Sequence, residues 1–120
     1  MNKRIVGSDK EELAEKLLKR AGYEILNRNY RCKMGEIDII ALKGRNICFV
    51  EVKYRSDNSY GGPLAAVDYH KQVKISRVAD YYRMCNPWAY DYNVRFDVVA
   101  ILGNKYKIVE NAFYYRGHSF

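Results

Sequence analysis

Residues 35–55 read GEIDIIALKGRNICFVEVKYR. Apolar residues surround the charged ones on both sides of the polar segment 43–46, which contains a glycine, and this pattern predicts a tight antiparallel hairpin. If Gly44 and Arg45 are the central residues of the turn, the pairing of the two strands is fixed. A four-residue loop over 43–46 gives the same pairing, whereas a one-residue bulge would break it.

That pairing gathers four charged residues on the two strands. Asp38 is predicted to lie opposite Glu51, and Glu36 opposite Lys53. Because side chains alternate along a strand, 36 and 38 share one face of the first strand, and 51 and 53 share one face of the second. The hairpin therefore predicts three carboxylates and one lysine in one place.

Two opposed carboxylates predict a metal ion. Opposed β-carbons lie roughly 4.5–5.5 Å apart, so Asp38 and Glu51 would repel each other unless a cation lay between them. Oxygen ligands favour Mg²⁺ or Mn²⁺ over zinc. Lys53 would point at the same place, where it could hold a nucleophilic water or offset charge on a phosphate. The alternative is a solvated strand face, but the apolar flanks indicate buried strands, where charges must be paired or bind metal.

The order of Asp38, a hairpin and Glu51-Val52-Lys53 resembles the PD-(D/E)XK signature of restriction-endonuclease-like nucleases. Four ordered motifs, GEIDIIA, FVEVKYR, GGPLAAV and RFDVVAIL, together resemble the YraN family of small endonuclease-like proteins, related to archaeal Holliday junction resolvases. The likeness extends over nearly the whole chain, from about residue 7 to residue 113.

The resemblance implies an α/β fold with a restriction-endonuclease-like core, in which helices flank a mixed central sheet in the order α-β-β-β-α-β-β. It also implies a Mg²⁺-dependent endonuclease that hydrolyses phosphodiester bonds in nucleic acid, with DNA, including branched recombination intermediates, as the expected substrate. Cleavage of both strands by so small a nuclease would call for a homodimer. The alternative is a catalytically weak or inactive nuclease-fold scaffold that binds nucleic acid, since fold does not guarantee activity.

Composition agrees with these expectations and is less specific. A chain of 120 residues predicts one domain over 1–120. A net charge of +7 and a pI near 9.3 favour nucleic acid as the partner, although an anionic membrane surface is also compatible with charge alone. The chain lacks an apolar run of the roughly 18 residues that a membrane span needs, and its first residues do not resemble a signal peptide, so we expect a cytoplasmic protein. Its three cysteines lack C-x-x-C spacing and indicate neither disulfides nor zinc.

A first helix is predicted from Ser8 to Ala21, because its apolar residues recur at helical spacing and Gly22 follows. Ser8 and Glu11 fit a capping box, which is a purely structural explanation for Glu11. The family resemblance implies another role, because related nucleases carry a glutamate of the N-terminal helix beside the metal. The two roles are compatible, and Glu11 is a candidate metal ligand.

A short strand over 23–26 is predicted to lead into a basic loop over 27–33. The loop's mixture of basic, tyrosine and asparagine residues suits phosphate contact and base stacking, although charged loops are also ordinary solvent-facing segments. A flexible loop over 56–63 could close over a substrate strand or simply connect a strand to a helix. Candidate nucleic-acid-binding residues in and around these segments are Arg28, Arg31, Lys33 and Arg55.

A second helix is predicted over 68–84, and its buried face contains Ile75, Val78, Ala79 and Tyr82. Counting back four residues places Lys71 on the same inward stripe, with Gln72 beside it. Lys71 could extend its stem to solvent, or it could reach the edge of the active site and contact the scissile phosphate. Gln72 and Lys74 are candidates for a phosphate-binding surface.

A strongly apolar strand is predicted over 94–102, followed by a turn and a last strand over 105–110. Asp97 is interpreted as a structural partner of Arg95 or of neighbouring backbone. The aromatic tail, 114–120, has no helix pattern and is expected to pack on the surface, self-associate or be disordered. If the tail mattered more than the carboxylates, the protein would be an interaction module that depends on a partner.

Overall fold

The computed structural model describes residues 7–55 and 66–117. Within these ranges the elements are α1 Gly7–Arg20, β1 Glu24–Cys32, β2 Gly35–Lys43, β3 Asn46–Arg55, α2 Tyr69–Cys85, a 3₁₀ helix Pro87–Asp91, β4 Asn93–Leu102 and β5 Lys105–Val109. The predicted order α-β-β-β-α-β-β is confirmed. The 3₁₀ helix is an addition that the sequence reading did not predict.

All five of these strands form one mixed sheet in the order β1-β2-β3-β4-β5. Neighbouring strands are antiparallel except β3 and β4, which run parallel. Parallel strands need a long crossover connection, and α2 lies within the connection from β3 to β4. The mixed central sheet predicted from the sequence is therefore confirmed.

One helix covers each face of the sheet, and each buries its own apolar cluster. Leu18 of α1 packs in a cluster with Ile39 and Val50. Ile75 of α2 packs in the other with Ile40 and Phe49. The buried residues of α2 include all four that the helical spacing predicted, namely Ile75, Val78, Ala79 and Tyr82.

The first strand is longer than predicted. The sequence indicated a strand over 23–26 and a basic loop over 27–33, but β1 continues to Cys32 and only a two-residue turn precedes β2. Arg28 pairs with Ile39, and the pairing continues to the end of the strand. β1 is an edge strand of the sheet that the described residues form, and an edge strand needs no continuous apolar pattern. This explains why the polar segment was misread as a loop.

The segment after β5 packs back onto the fold as far as Gly117. Phe113 stacks on Phe96 at a centroid separation of 4.9 Å, and the Tyr115 hydroxyl donates to the Asp80 carboxylate of α2. Of the three behaviours expected for the tail, residues 113–117 show packing on the surface. Residues 118–120 lie outside the described residues. The predicted flexible loop over 56–63 also lies outside them. No helix in the described ranges is both long and apolar enough to span a membrane.

Candidate active site

The candidate site lies where β2 and β3 separate. The predicted pairing is confirmed from the turn, where Lys43 faces Asn46, as far as Ile39 opposite Val50. Beyond that point the Asp38 carboxylate accepts a hydrogen bond of 2.7 Å from the backbone N–H of Val52. The Asp38 side chain thus accepts the hydrogen bond that a backbone carbonyl of β2 would accept if the two strands were still paired.

The predicted continuation of the pairing to Asp38 opposite Glu51, and to Glu36 opposite Lys53, is therefore wrong. The alternation of β2 is also interrupted here, because Ile37 and Ile40 belong to the cluster of α2, whereas Ile39 belongs to that of α1. An uninterrupted strand would place 37 and 39 on the same face.

Asp38 and Glu51 are nevertheless close enough to act on each other electrostatically. Burial raises the pKa of Asp38, the charge of Glu51 raises it further, and the result is a pKa of about 7. The Val52 N–H opposes this rise, and the charge of Glu11 adds to it. The half-buried Glu11 of α1 thus contributes to the same negative region as the two strand carboxylates.

Lys71 reaches this acidic region from the first turn of α2. Its Nζ lies 3.2 Å from Oε2 of Glu51, whose side chain is 13% exposed. The helix begins there because the Asp68 side chain accepts a hydrogen bond from the Lys71 backbone N–H. Burial lowers the pKa of Lys71, but Glu51 and Asp38 more than offset this, so the pKa is raised and Lys71 stays charged.

Lys53 is half-buried in β3, two residues after Glu51, and it pairs with Ala100 of β4. Across residues 7–55 and 66–117 it makes no ion pair or side-chain hydrogen bond. Its ammonium is therefore not neutralised by a direct partner in that part of the protein. The predicted position opposite Glu36 is not observed, because β2 and β3 have separated there, and Glu36 instead forms an ion pair of 3.0 Å with Arg31 of β1.

A basic pocket of about 450 Å³ adjoins the site. Arg31, Lys71 and Lys74 line it together with Glu36, so two predicted nucleic-acid-binding residues lie beside the lysine that contacts Glu51. Its volume lies within the range for small ligands, and its positive side chains suit a phosphate.

The other predicted nucleic-acid-binding residues do not line this pocket. Arg28 forms an ion pair with Glu15 of α1. The Gln72 amide donates to the Val67 carbonyl and accepts from Arg116, so it turns away from Glu51. Lys33 is exposed in the turn between β1 and β2, and Arg55 donates to the Tyr54 carbonyl.

The carboxylates of Asp38 and Glu51 suit a hard divalent cation that takes only a few of its ligands from the protein. Asp38 and Glu51 offer only oxygen, and Mg²⁺ is often bound through one or two carboxylates while water and substrate phosphate complete its shell. Within the described ranges no group of three His, Cys, Asp or Glu side chains is arranged to bind a metal. Glu11 is thus near enough to influence Asp38 but is not placed as a direct third ligand. α1 begins at Gly7, and the side chain of Ser8, on which the predicted capping box depends, lies outside the part of the structure that is described.

Asp97 has the structural role predicted for it. It is fully buried and accepts hydrogen bonds from the Tyr23 hydroxyl at 2.7 Å and from Arg95 at 2.9 Å. The backbone N–H of Asn111 donates to it as well. This network ties β4 to the connection between α1 and β1 and to the segment after β5.

Arg116 is a residue near the site that the sequence reading missed. Its guanidinium donates to Gln72 and lies over the ring of Tyr69, 5.2 Å from the ring centroid, at the start of α2. Only folding brings residue 116 to this helix, and no local pattern in the sequence indicates it.

These features define a small α/β protein with a half-buried acidic site bordered by lysines. Its sequence matches the family model described as uncharacterised protein family UPF0102 over residues 10–101. The chain therefore belongs to this family, also called YraN, and the family resemblance drawn from the motifs is confirmed.

The chain is similar to several relatives, each called a UPF0102 protein. The one from Alkaliphilus oremlandii is 49% identical over 118 residues, covering 94% of this chain and 100% of the relative. The one from Clostridium acetobutylicum is 46% identical over 119 residues, with 94% and 96% covered. Among solved structures, a repair endonuclease from Pyrococcus abyssi matches with a TM-score of 0.48 and 19% identity, over 87% of this chain and 42% of the other.

Proposed function

We propose that this protein is a metal-dependent phosphodiesterase that acts on nucleic acid, with DNA as the expected substrate. The observation that carries the proposal is the convergence of Asp38, Glu51 and Lys71, from β2, β3 and α2, on one half-buried place. Two carboxylates in a half-buried place favour a cation beside them, and Lys71, which pairs with Glu51, also lines the basic pocket.

Asp38 and Glu51 would hold Mg²⁺ or Mn²⁺. Such an ion supplies a Lewis acid that polarises a phosphate and lowers the pKa of a bound water. The Val52 N–H orients the Asp38 carboxylate, and Glu11 adds negative charge that favours a cation.

The lysines have separate roles in this proposal. Lys53 has no direct partner among the described residues and would orient a nucleophilic water and offset charge that develops on the phosphate. Lys71 balances the charge of Glu51 and would hold the scissile phosphate when substrate enters the basic pocket. Arg31 and Lys74 would contact neighbouring phosphates.

A second candidate function is a nucleic-acid-binding scaffold with weak or no catalysis. The absence of a third metal ligand in the described part of the chain favours it, as does the engagement of Glu51 by Lys71. Binding of a divalent metal distinguishes the two functions.

The test is incubation of the purified protein with labelled single-stranded, duplex, flapped and four-way DNA, with Mg²⁺, Mn²⁺ or EDTA. Asp38→Ala and Lys53→Ala are compared with Glu24→Ala and Lys105→Ala, which change exposed residues away from the site. Cleavage that requires metal and is lost only in the first two variants would support the nuclease. Binding without cleavage under every metal condition would favour the scaffold.

Cutting of both duplex strands would also call for a mass measurement, because one site per chain implies a homodimer.

A further inference from the structure

A second pocket, of about 540 Å³, lies near the C-terminal end of α2. Arg83 of α2, Tyr90 of the 3₁₀ helix and Tyr115 of the C-terminal segment line it, and Tyr92, Asn93 and Val94 complete its wall. Its volume is typical of sites that bind small molecules or single units of a polymer. Neither the sequence motifs nor the proposed catalysis uses these residues.

This pocket is separate from the carboxylate site. Asn93 pairs with Asn46 at the start of β3, five residues before Glu51, which corresponds to roughly 17 Å along a strand. Arg83 follows Lys71 by twelve residues of α2, which corresponds to roughly 18 Å along a helix. Both distances are large enough that a ligand in this pocket does not occupy the catalytic site.

The Arg83 guanidinium is held in place without an ion-pair partner among the described residues. Its Cζ lies 4.6 Å from the centroid of the Tyr90 ring, and its buried Nε has no hydrogen-bond partner. It forms no ion pair with any residue of the described ranges, and the nearby Asp80 carboxylate accepts both of its close hydrogen bonds from Tyr115. A guanidinium that is partly removed from water and not neutralised favours an anion beside it.

Three of the residues that line the pocket are tyrosines. Tyr90 is 55% exposed, and Tyr92 and Tyr115 also line the wall. Planar side chains beside a cation suit a ligand that is planar at one end and anionic at the other, which describes a nucleotide. In a duplex the bases are stacked inside and cannot reach such rings, so the bases must be unpaired.

We propose that this pocket binds one nucleotide of single-stranded nucleic acid, with its base stacked on the face of Tyr90 that Arg83 does not cover and its phosphate beside Arg83. The pocket is a second anchor point for the strand, away from the carboxylates. Binding there requires no metal and no cleavage, so it can be measured in EDTA independently of the proposed catalysis.

The first measurement is the fluorescence anisotropy of labelled oligothymidylate in EDTA over a range of salt concentrations. Arg83→Gln and Tyr90→Ala are expected to weaken binding about tenfold, the loss typical of one stacked base. Arg83→Gln should also reduce the slope of log affinity against log salt by about 0.7. The matched controls are Arg20→Gln, an exposed arginine of α1, and Tyr106→Ala, whose tyrosine is 52% exposed on β5.

Trp88 gives a local readout, because it is the only tryptophan and its ring lies 6.0 Å from that of Tyr92. Oligothymidylate should change Trp88 fluorescence in the wild type and in both controls, but not in Tyr90→Ala. The proposal is overturned if Arg83→Gln and Tyr90→Ala bind as tightly as their controls. It is also overturned if duplex DNA or free thymidine monophosphate gives the same affinity and the same fluorescence change as the single strand.

Discussion

The Asp38 carboxylate accepts a 2.7 Å hydrogen bond from the backbone N–H of Val52, where β2 and β3 stop pairing. The bond fixes the carboxylate at the edge of the opening between the strands, beside Glu51. It does not compensate for burial and for the neighbouring charge, because the pKa of Asp38 is still raised to about 7. Burial and the charge of Glu51 therefore destabilise the charged form of Asp38 more than the hydrogen bond from Val52 stabilises it.

Replacing Asp38 by asparagine should stabilise the metal-free protein at alkaline pH. An amide keeps an acceptor for the Val52 N–H and removes a buried negative charge, so the free energy of unfolding should rise by about 1–3 kcal/mol at pH 8.5. At pH 5.5, about halfway between the pKa of 3.8 in the unfolded chain and the pKa of about 7 in the folded protein, the gain should be about half as large. Urea unfolding in EDTA at the two pH values measures both, with Glu24→Gln as the exposed control. Equal destabilisation by Asp38→Asn at both pH values would contradict this prediction.

The wild-type protein should respond to pH and Mg²⁺ in a linked way. The pKa of Asp38 is about 7 in the folded state and near its ordinary value of 3.8 in the unfolded chain, so the folded state holds the proton more tightly. The contribution of Asp38 to stability is therefore greatest at low pH and declines as pH rises from about 4 to about 7.

Mg²⁺ must compete with this proton, so its apparent affinity should rise by up to about tenfold per pH unit below 7 and level off above. Thermal unfolding with and without Mg²⁺ at pH 5.5, 7 and 8.5 tests this dependence. An increase in melting temperature that is the same at all three values, or that persists in Asp38→Asn, would show that the ion binds elsewhere.

Lys71→Gln should affect catalysis far more than stability. Its ion pair with Glu51 joins α2 to β3, but the lysine side chain is 46% exposed, so the loss of stability should be below about 1 kcal/mol. If Lys71 stabilises charge on the phosphate, cleavage should fall about 10²-fold in kcat. Lys71→Arg should recover part of that rate.

Lys74→Gln is the matched control, because Lys74 lies one turn along α2 and lines the same basic pocket but does not contact Glu51. It should raise KM and leave kcat nearly unchanged. Similar losses of kcat in both variants would mean that the ion pair of Lys71 has no specific catalytic role. The comparison requires the cleavage assay that tests the proposed function.

Local patterns predicted the elements that bury apolar residues. The hairpin pairing near the turn and the inward face of α2 follow from spacing alone, and Lys71 was identified in this way. The separation of the strands at Asp38 could not be found in the same way, because it depends on a hydrogen bond between a side chain and a backbone amide. Asn29 of β1, whose φ is 52°, is a further irregularity that polar composition does not reveal.

Contacts between distant parts of the chain could not be predicted from the spacing of residues in the sequence either. Arg116 reaches α2 only because the segment after β5 packs on this helix, and Arg83 meets Tyr90 only because the 3₁₀ helix follows α2. Asp97 was interpreted correctly since a carboxylate in an apolar strand must have partners, and Arg95 was the nearest candidate.

Asp97→Asn should destabilise the fold without a direct effect on metal binding. The carboxylate is fully buried and accepts from Tyr23, Arg95 and the Asn111 backbone, so an amide would leave the charge of Arg95 without its closest partner. The expected loss in unfolding free energy is about 3–5 kcal/mol, the size found when one member of a buried ion pair is removed.

Tyr23→Phe removes one neutral donor from the network and should lose only about 1 kcal/mol. Urea unfolding measures both, and the increase in melting temperature that Mg²⁺ produces should be unchanged in Tyr23→Phe. If Asp97→Asn were as stable as Tyr23→Phe, the network would not be the structural tie between β4 and its neighbours that the hydrogen bonds indicate.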